Sequence, residues 1–89
     1  MTDALRLDKW LWQARFIRSR EGAAQLVAAR RVRLNRQLVA KTHQLVRPGD
    51  VITLAGPHGV RVLRVRALGS RRGPAPEARG LYDELTPLG

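Results

Sequence analysis

The reactive side chains of this sequence are overwhelmingly guanidinium groups. Seventeen Lys and Arg stand against seven Asp and Glu, a formal net charge of +10, and all of the seventeen except Lys9 and Lys41 are Arg. Arg carries a planar fork that grips phosphate oxygens with paired hydrogen bonds and stacks on bases. Solubility would be served as well by Lys, so the choice of Arg points to a polyanionic partner. Nine of the seventeen lie in the first thirty-six positions: Arg6, Lys9, Arg15, Arg18, Arg20, Arg30, Arg31, Arg33 and Arg36. They face three acids there, Asp3, Asp8 and Glu21. If the elements that carry them pack together, two basic groups converge on a surface able to track a phosphate backbone. The competing reading is a scattered, solvated basic surface of the kind an arginine-rich proteome produces. Arg6 also has a local alternative as the partner of Asp8.

Catalytic chemistry finds little support. His43 and His58 are the only histidines, both in polar or turn sequence, and neither has a helical HxxxH partner or a nearby carboxylate pattern. Asp83 and Glu84 are adjacent, and on a helix they would diverge by about 100°. No Gly-rich phosphate loop is present. The absence of Cys excludes disulfides, thiolate metal sites and cysteine nucleophiles. A non-enzyme without cofactor or metal is expected. The Cys-free composition fits a cytoplasmic protein, and the start of the chain does not read as a signal peptide. No stretch is long and apolar enough to span a bilayer.

The elements that must position the arginines can be read in outline. Eighty-nine residues allow one domain, and 44% hydrophobic residues suffice for a modest core. Leu7, Trp10, Leu11 and Ala14 fall at helical spacing, with Asp8 in the first turn. Ser19 is an N-cap for a second helix whose apolar side is Ala23, Leu26 and Val27. The link between the two helices is short, about Ile17 to Ser19. After Arg31 the period becomes alternating, with Val32 and Leu34 opposite Arg33 and Asn35. Asn35-Arg36, Pro48-Gly49-Asp50 and Gly56-Pro57-His58-Gly59 read as turns. Val51 to Leu54 and Val60 to Leu68 read as strands, and a slip at Val62-Leu63 predicts a bulge. Ser70 to Pro76 reads as a basic linker, and Pro76 to Leu85 as a short last helix weakened by Gly80. The class is α+β: two N-terminal helices, then a small, mainly antiparallel sheet of three to four strands, then a short C-terminal helix. Trp10 belongs to the core. Trp12 and Phe16 project about 140° and 180° from Leu7. They either stack on unpaired bases or pack on the segment around Leu81 and Tyr82, and packing is the default.

The run from Arg6 to Trp12 (RLDKWLW), followed by Arg15, Ser19-Arg20 and Ala23, resembles the αL motif of the ribosomal S-four RNA-binding domain family. Val32-Arg33-Leu34-Asn35 and Pro48-Gly49-Asp50-Val51-Ile52 are similar to that domain's hairpin and Gly-Asp turn. The resemblance covers residues 6 to 66. The words RLDKWLW and ARFIRSR, with Arg71 to Ala78 and Leu81-Tyr82, narrow it to the heat-shock protein fifteen branch. With the strand and turn pattern it divides the chain into an S-four-type RNA-binding domain over residues 6–68 and a basic linker with a short C-terminal helix over 69–89. The implied partner is structured ribosomal RNA, in particular free large ribosomal subunits that still carry a nascent chain on tRNA. DNA would bind more weakly, no membrane is involved, and a monomer is expected. By position, the RNA-facing residues would be Arg6, Lys9, Arg15, Arg18, Ser19, Arg20, Arg33, Asn35 and Lys41. Two departures from the family pattern stand out. Arg30 occupies a position usually held by Gly, and Asn35-Arg36 replaces Asn-Gly, so both changes add charge and remove flexibility. Longer members carry a basic C-terminal tail, whereas this sequence stops at Gly89.

Three other readings remain open from the sequence, the blandest being a protein-interaction module that binds a protein independently of salt and binds no RNA. Two short helices with a tight turn also suit a DNA-binding regulator, although the second helix offers only Gln25 mid-helix to read bases. The same fold also serves as the RNA-targeting domain of modifying enzymes such as pseudouridine synthases, which would require a catalytic partner chain.

Overall fold

The structure is a computed structural model that describes residues 3–57 and 59–86. His58, expected in the turn after Pro57, lies outside the described residues. In chain order the elements are β1 (Leu5–Arg6), α1 (Leu7–Gln13), α2 (Arg20–Ala28), β2 (Val32–Leu34), β3 (Gln37–Leu38) and β4 (Leu45–Val46). They continue with β5 (Val51–Gly56), β6 (Gly59–Val65), α3 (Ala75–Arg79) and β7 (Tyr82–Glu84). This is the α+β architecture that the sequence predicts, two helices followed by a sheet. The main sheet has five strands rather than the three to four expected, because Tyr82–Glu84 joins it as an edge strand; the order is β3-β2-β5-β6-β7, every pair antiparallel. A second, two-stranded sheet joins β1 to β4.

The expected apolar face of α1 is fully internal: Leu7, Trp10, Leu11 and Ala14 are all buried. They share one core with Ile17, Ala23 and Val27 of the α2 side, with Val32, Ile52 and Val65 of the sheet, and with Leu81. Burial of these side chains supplies the main stabilisation, at roughly 1.5–3 kcal/mol for each large aliphatic. A seven-residue helix is too short to persist alone, so α1 depends on this packing. Its orphan N-terminal amides find distant partners. Leu7 N–H donates to Gln44 O at 2.7 Å and Asp8 N–H to Thr42 O at 3.4 Å, so the 41–44 loop caps α1. At α2 the Ser19 hydroxyl accepts from Gly22 N–H at 3.3 Å, the N-cap expected of it.

Three local expectations are corrected. No bulge occurs at Val62-Leu63: the β5–β6 register runs unbroken from Val51↔Arg64 to Gly56↔Gly59. The apparent slip arises because Arg61 occupies a core-facing position on the same pleat as Leu63 and Val65. It sits at the rim, its guanidinium 5.0 Å from the Phe16 ring centroid. The last helix is also shorter than expected. It begins at Ala75 and stops at Arg79, and Tyr82–Glu84 pairs with β6 as an edge strand. Gly80 closes the helix, and the alternation of Leu81 with Tyr82 then lets Leu81 enter the core. Strand β6 ends at Val65, because Arg66 and Ala67 turn their amides to Leu81 O.

Candidate nucleic-acid interface

The first basic group is organised by one buried carboxylate. Asp8 is 4% exposed. Its Oδ1 accepts from Lys9 N–H at 2.8 Å and from Arg6 Nε at 3.2 Å, and its Oδ2 accepts from Arg6 Nη2 at 3.0 Å and Arg20 Nη2 at 3.2 Å. The local pairing of Arg6 with Asp8 is therefore real, yet it does not consume the arginine. Each guanidinium has five N–H donors, and Asp8 takes two from Arg6 and one from Arg20. Both side chains remain about half exposed, at 47% and 49%. A short carboxylate thus fixes two guanidinium planes side by side with their remaining donors towards solvent. Lys9 is exposed on the same helical turn, and Lys41 is exposed in the loop that caps it. Of the sequence-predicted residues, Arg6 and Arg20 are brought together on Asp8, with Lys9 next to it on α1 and Lys41 in the loop that caps that helix.

A second group lies on the α1–α2 turn. Arg15 and Arg18 are exposed, and Ser19 follows as the cap of α2. Ser19 accepts one bond and keeps its own O–H to donate. Arg15 is tied inward, with Nε donating to Gly73 O at 2.6 Å. The turn is also clamped from outside by Arg72, which the sequence reading placed in a linker. Arg72 Nε donates to Trp12 O at 3.1 Å and its Nη2 to Ile17 O at 3.5 Å. Its guanidinium lies 5.6 Å from the Trp12 ring centroid. Trp12 is thus covered by Arg72, and Phe16 packs on Tyr82 at 4.7 Å and Trp10 at 5.9 Å between centroids. Both aromatics pack on the molecule itself, the default reading from the sequence.

The third group is the β2–β3 hairpin. Arg33 is exposed on the sheet face opposite the core, while its neighbour Val32 is buried. Asn35 is engaged on both sides of its amide: Nδ2 donates to Asp50 Oδ1 at 3.1 Å, and Oδ1 accepts from Val51 N–H at 2.9 Å. It fastens the hairpin to the Pro48-Gly49-Asp50 turn, where Asp50 Oδ2 also accepts from Arg47 N–H at 2.8 Å. Asn35 and Arg33 lie on the hairpin rather than in the Asp8 cluster. Lys41 follows the hairpin, three residues after β3, at the start of the loop that caps α1.

Sequence reasoning missed Gln13 and Arg72. Gln13 is 1% exposed and donates Nε2 to Leu68 O at 2.9 Å. It resembles a solvent residue in the sequence, and only its position between Leu11 and Ala14 hints at burial. No periodicity marks Arg72. Among the described residues, no three His, Asp or Glu side chains assemble to hold a metal ion. No helix there is long and apolar enough to cross a membrane.

An α+β domain whose first two helices present clustered arginines, backed by a basic hairpin, is the arrangement of a small RNA-binding module. Comparison with known proteins gives the class. The S4 domain model matches residues 5–52. Heat shock protein 15 of Escherichia coli K12 is 38% identical over 80 residues, covering 90% of this chain and 59% of the relative. The heat shock protein 15 homolog of Haemophilus influenzae is 38% identical over 80 residues, covering 90% and 60%. A solved structure of Vibrio cholerae heat shock protein 15, described as trimeric, aligns with a TM-score of 0.84 at 38% identity, covering 92% of this chain and 82% of that one. The chain belongs to the S4 domain family of RNA-binding proteins, in its heat shock protein 15 branch. It spans about 60% of the length of the curated relatives it matches.

Proposed function

We propose that this chain binds structured ribosomal RNA, and that its partner is the large ribosomal subunit carrying a nascent chain on tRNA. The observation that carries the reading is the Asp8 centre. A carboxylate placed inside a basic face costs attraction for RNA, so its presence there calls for a compensating gain. Holding Arg6 and Arg20 in fixed, adjacent orientations supplies one, because preorganised forks lose less entropy on gripping phosphates. Lys9, Lys41, Arg18 and Arg33 add contacts to the backbone, and the Ser19 hydroxyl donates a further bond. Arg15 and Asn35 shape the turn and the hairpin that present them. Beyond Arg20, which Asp8 holds, the exposed side of α2 is Glu21, Ala24, Gln25 and Ala28, a poor set for reading bases in a DNA groove, and this favours RNA over a DNA-binding regulator. The RNA-contacting residues lie within 6–68, and 69–89 completes the fold behind them through Arg72, Gly73, Leu81 and β7. The protein acts in the cytoplasm, as a monomer, without catalysis.

The test is a titration of the full chain against purified large subunits, small subunits and duplex DNA over a range of salt concentrations. Preference for the large subunit is expected, with a log–log salt slope of roughly 0.7 to 0.9 per phosphate contact. Equal weak binding to all three would reduce the surface to a nonspecific polyanion binder. Light scattering in the same buffer reads the oligomeric state, and a trimer would replace the monomer in this reading.

A further inference from the structure

Three backbone positions in this fold call for glycine, and arginine fills all three. Both helices of the αL pair end in the same six-residue closure, with a left-handed residue one place beyond the C-cap. In α1 that residue is Arg15 (φ 66°), with Arg15 N–H bonded to Trp12 O and Phe16 N–H to Leu11 O. In α2 it is Arg30 (φ 60°), with Arg30 N–H bonded to Val27 O and Arg31 N–H to Leu26 O. The two-residue turn of the β2–β3 hairpin has positive φ at both Asn35 (50°) and Arg36 (73°), and glycine is the usual second residue of such a turn. A Cβ in this region crowds the following carbonyl at a cost of roughly 1–2 kcal/mol, which Asn offsets locally and Arg does not. Elsewhere the chain uses glycine where φ is positive, at Gly49, Gly59 and Gly69.

Arg15 has an internal reason to be there, its bond to Gly73 O. Arg30 and Arg36 have none. Both are exposed, and neither side chain makes a hydrogen bond or ion pair among the described residues. A strained conformation occupied by side chains that give the fold nothing in return indicates a role outside the fold. Their placement fits one role. Arg30 precedes β2 and Arg36 follows it, with Arg33 midway, along a strand about 10 Å long. We propose that Arg30 and Arg36 are phosphate-contacting residues that extend the RNA-binding surface along β2, beyond the residues the family pattern marks. The proposal rests on the RNA-binding reading above.

Arg30→Gly and Arg36→Gly, in the full chain, separate strain from function because they move stability and binding in opposite directions. Each should raise the melting temperature by about 4 °C or more, as the left-handed strain is relieved. Each should also weaken binding to large subunits several-fold and lower the log–log salt slope by roughly 0.7 to 0.9. Arg→Lys at the same sites should keep the salt slope and leave the melting temperature unchanged. The proposal is overturned if the wild-type chain binds while the glycine variants bind with unchanged affinity and slope. A glycine variant that melts below wild type overturns the strain argument. Absence of binding by the wild-type chain itself defeats the RNA reading as well, so the two failures are told apart by the control.

Discussion

Arg72→Met removes a guanidinium and keeps an unbranched stem over Trp12, so it isolates what the charged group contributes. The bond from Arg72 Nε to Trp12 O at 3.1 Å has a charged donor, a class that contributes about 1.5–3 kcal/mol. The stacking on Trp12 at 5.6 Å adds about 0.5–1 kcal/mol at a partly exposed site. The contact to Ile17 O at 3.5 Å is too long to add much. Arg72 is half-buried, so water recovers part of the loss at the carbonyls, and the net cost is about 2 kcal/mol. For a domain of this size that is a fall in melting temperature of about 8–16 °C. Arg72→Lys should recover only a minor part, because an ammonium lacks the planar fork that reaches the carbonyl while lying on the ring. Thermal and urea unfolding followed by circular dichroism measure both variants. A loss below about 0.5 kcal/mol for Arg72→Met would refute the reasoning and make Arg72 an ordinary solvated arginine.

Two further perturbations have definite signs. Asp8→Asn removes a negative charge from a basic face, so simple electrostatics would strengthen RNA binding. If Asp8 works by fixing Arg6 and Arg20, affinity for large subunits falls instead and the fold loses about 1–2 kcal/mol, which a binding titration and a melt read together. The Arg61 guanidinium, hydrogen-bonded to Glu84, holds that carboxyl below the usual glutamate value, with Thr86 helping and partial burial opposing. A lowered folded-state value contributes stability above the unfolded-state pKa and loses it as pH falls through the folded one. Acidification below the ordinary carboxylate range should therefore loosen β7 from β6, and Glu84→Gln should remove that part of the pH dependence of the melting temperature.

Where short-range rules act alone, the sequence was a good guide. The α1 face, the Ser19 cap and the Pro48-Gly49-Asp50 turn are set by spacing and turn chemistry, and the structure has each of them. Legibility failed where a side chain's role depends on a distant segment. Tyr82–Glu84 carries helical signals from Pro76 and Glu77, but Gly80 ends the helix and the free edge of β6 captures these three residues as a strand. The slip at Val62-Leu63 read as a bulge because nothing nearby in sequence reveals Phe16 beneath Arg61. Within the candidate interface, the basic residues were visible from composition. The role of Asp8 as their shared anchor required knowing that Arg20 folds back across twelve positions.

The supports of α1 have a consequence for the order in which this protein is made. Its first amides are capped by carbonyls of residues 42 and 44, and its side chains Trp10 and Gln13 donate to the carbonyls of Ala67 and Leu68. Its last turn is gripped by Arg72, and Arg15 just beyond it is held by Gly73. The first helix to be synthesised is therefore among the last elements to become stable, because its partners arrive 34 to 60 residues later. A chain interrupted before Gly73 lacks its clasp, and the arginine face is assembled only when translation has almost traversed the domain.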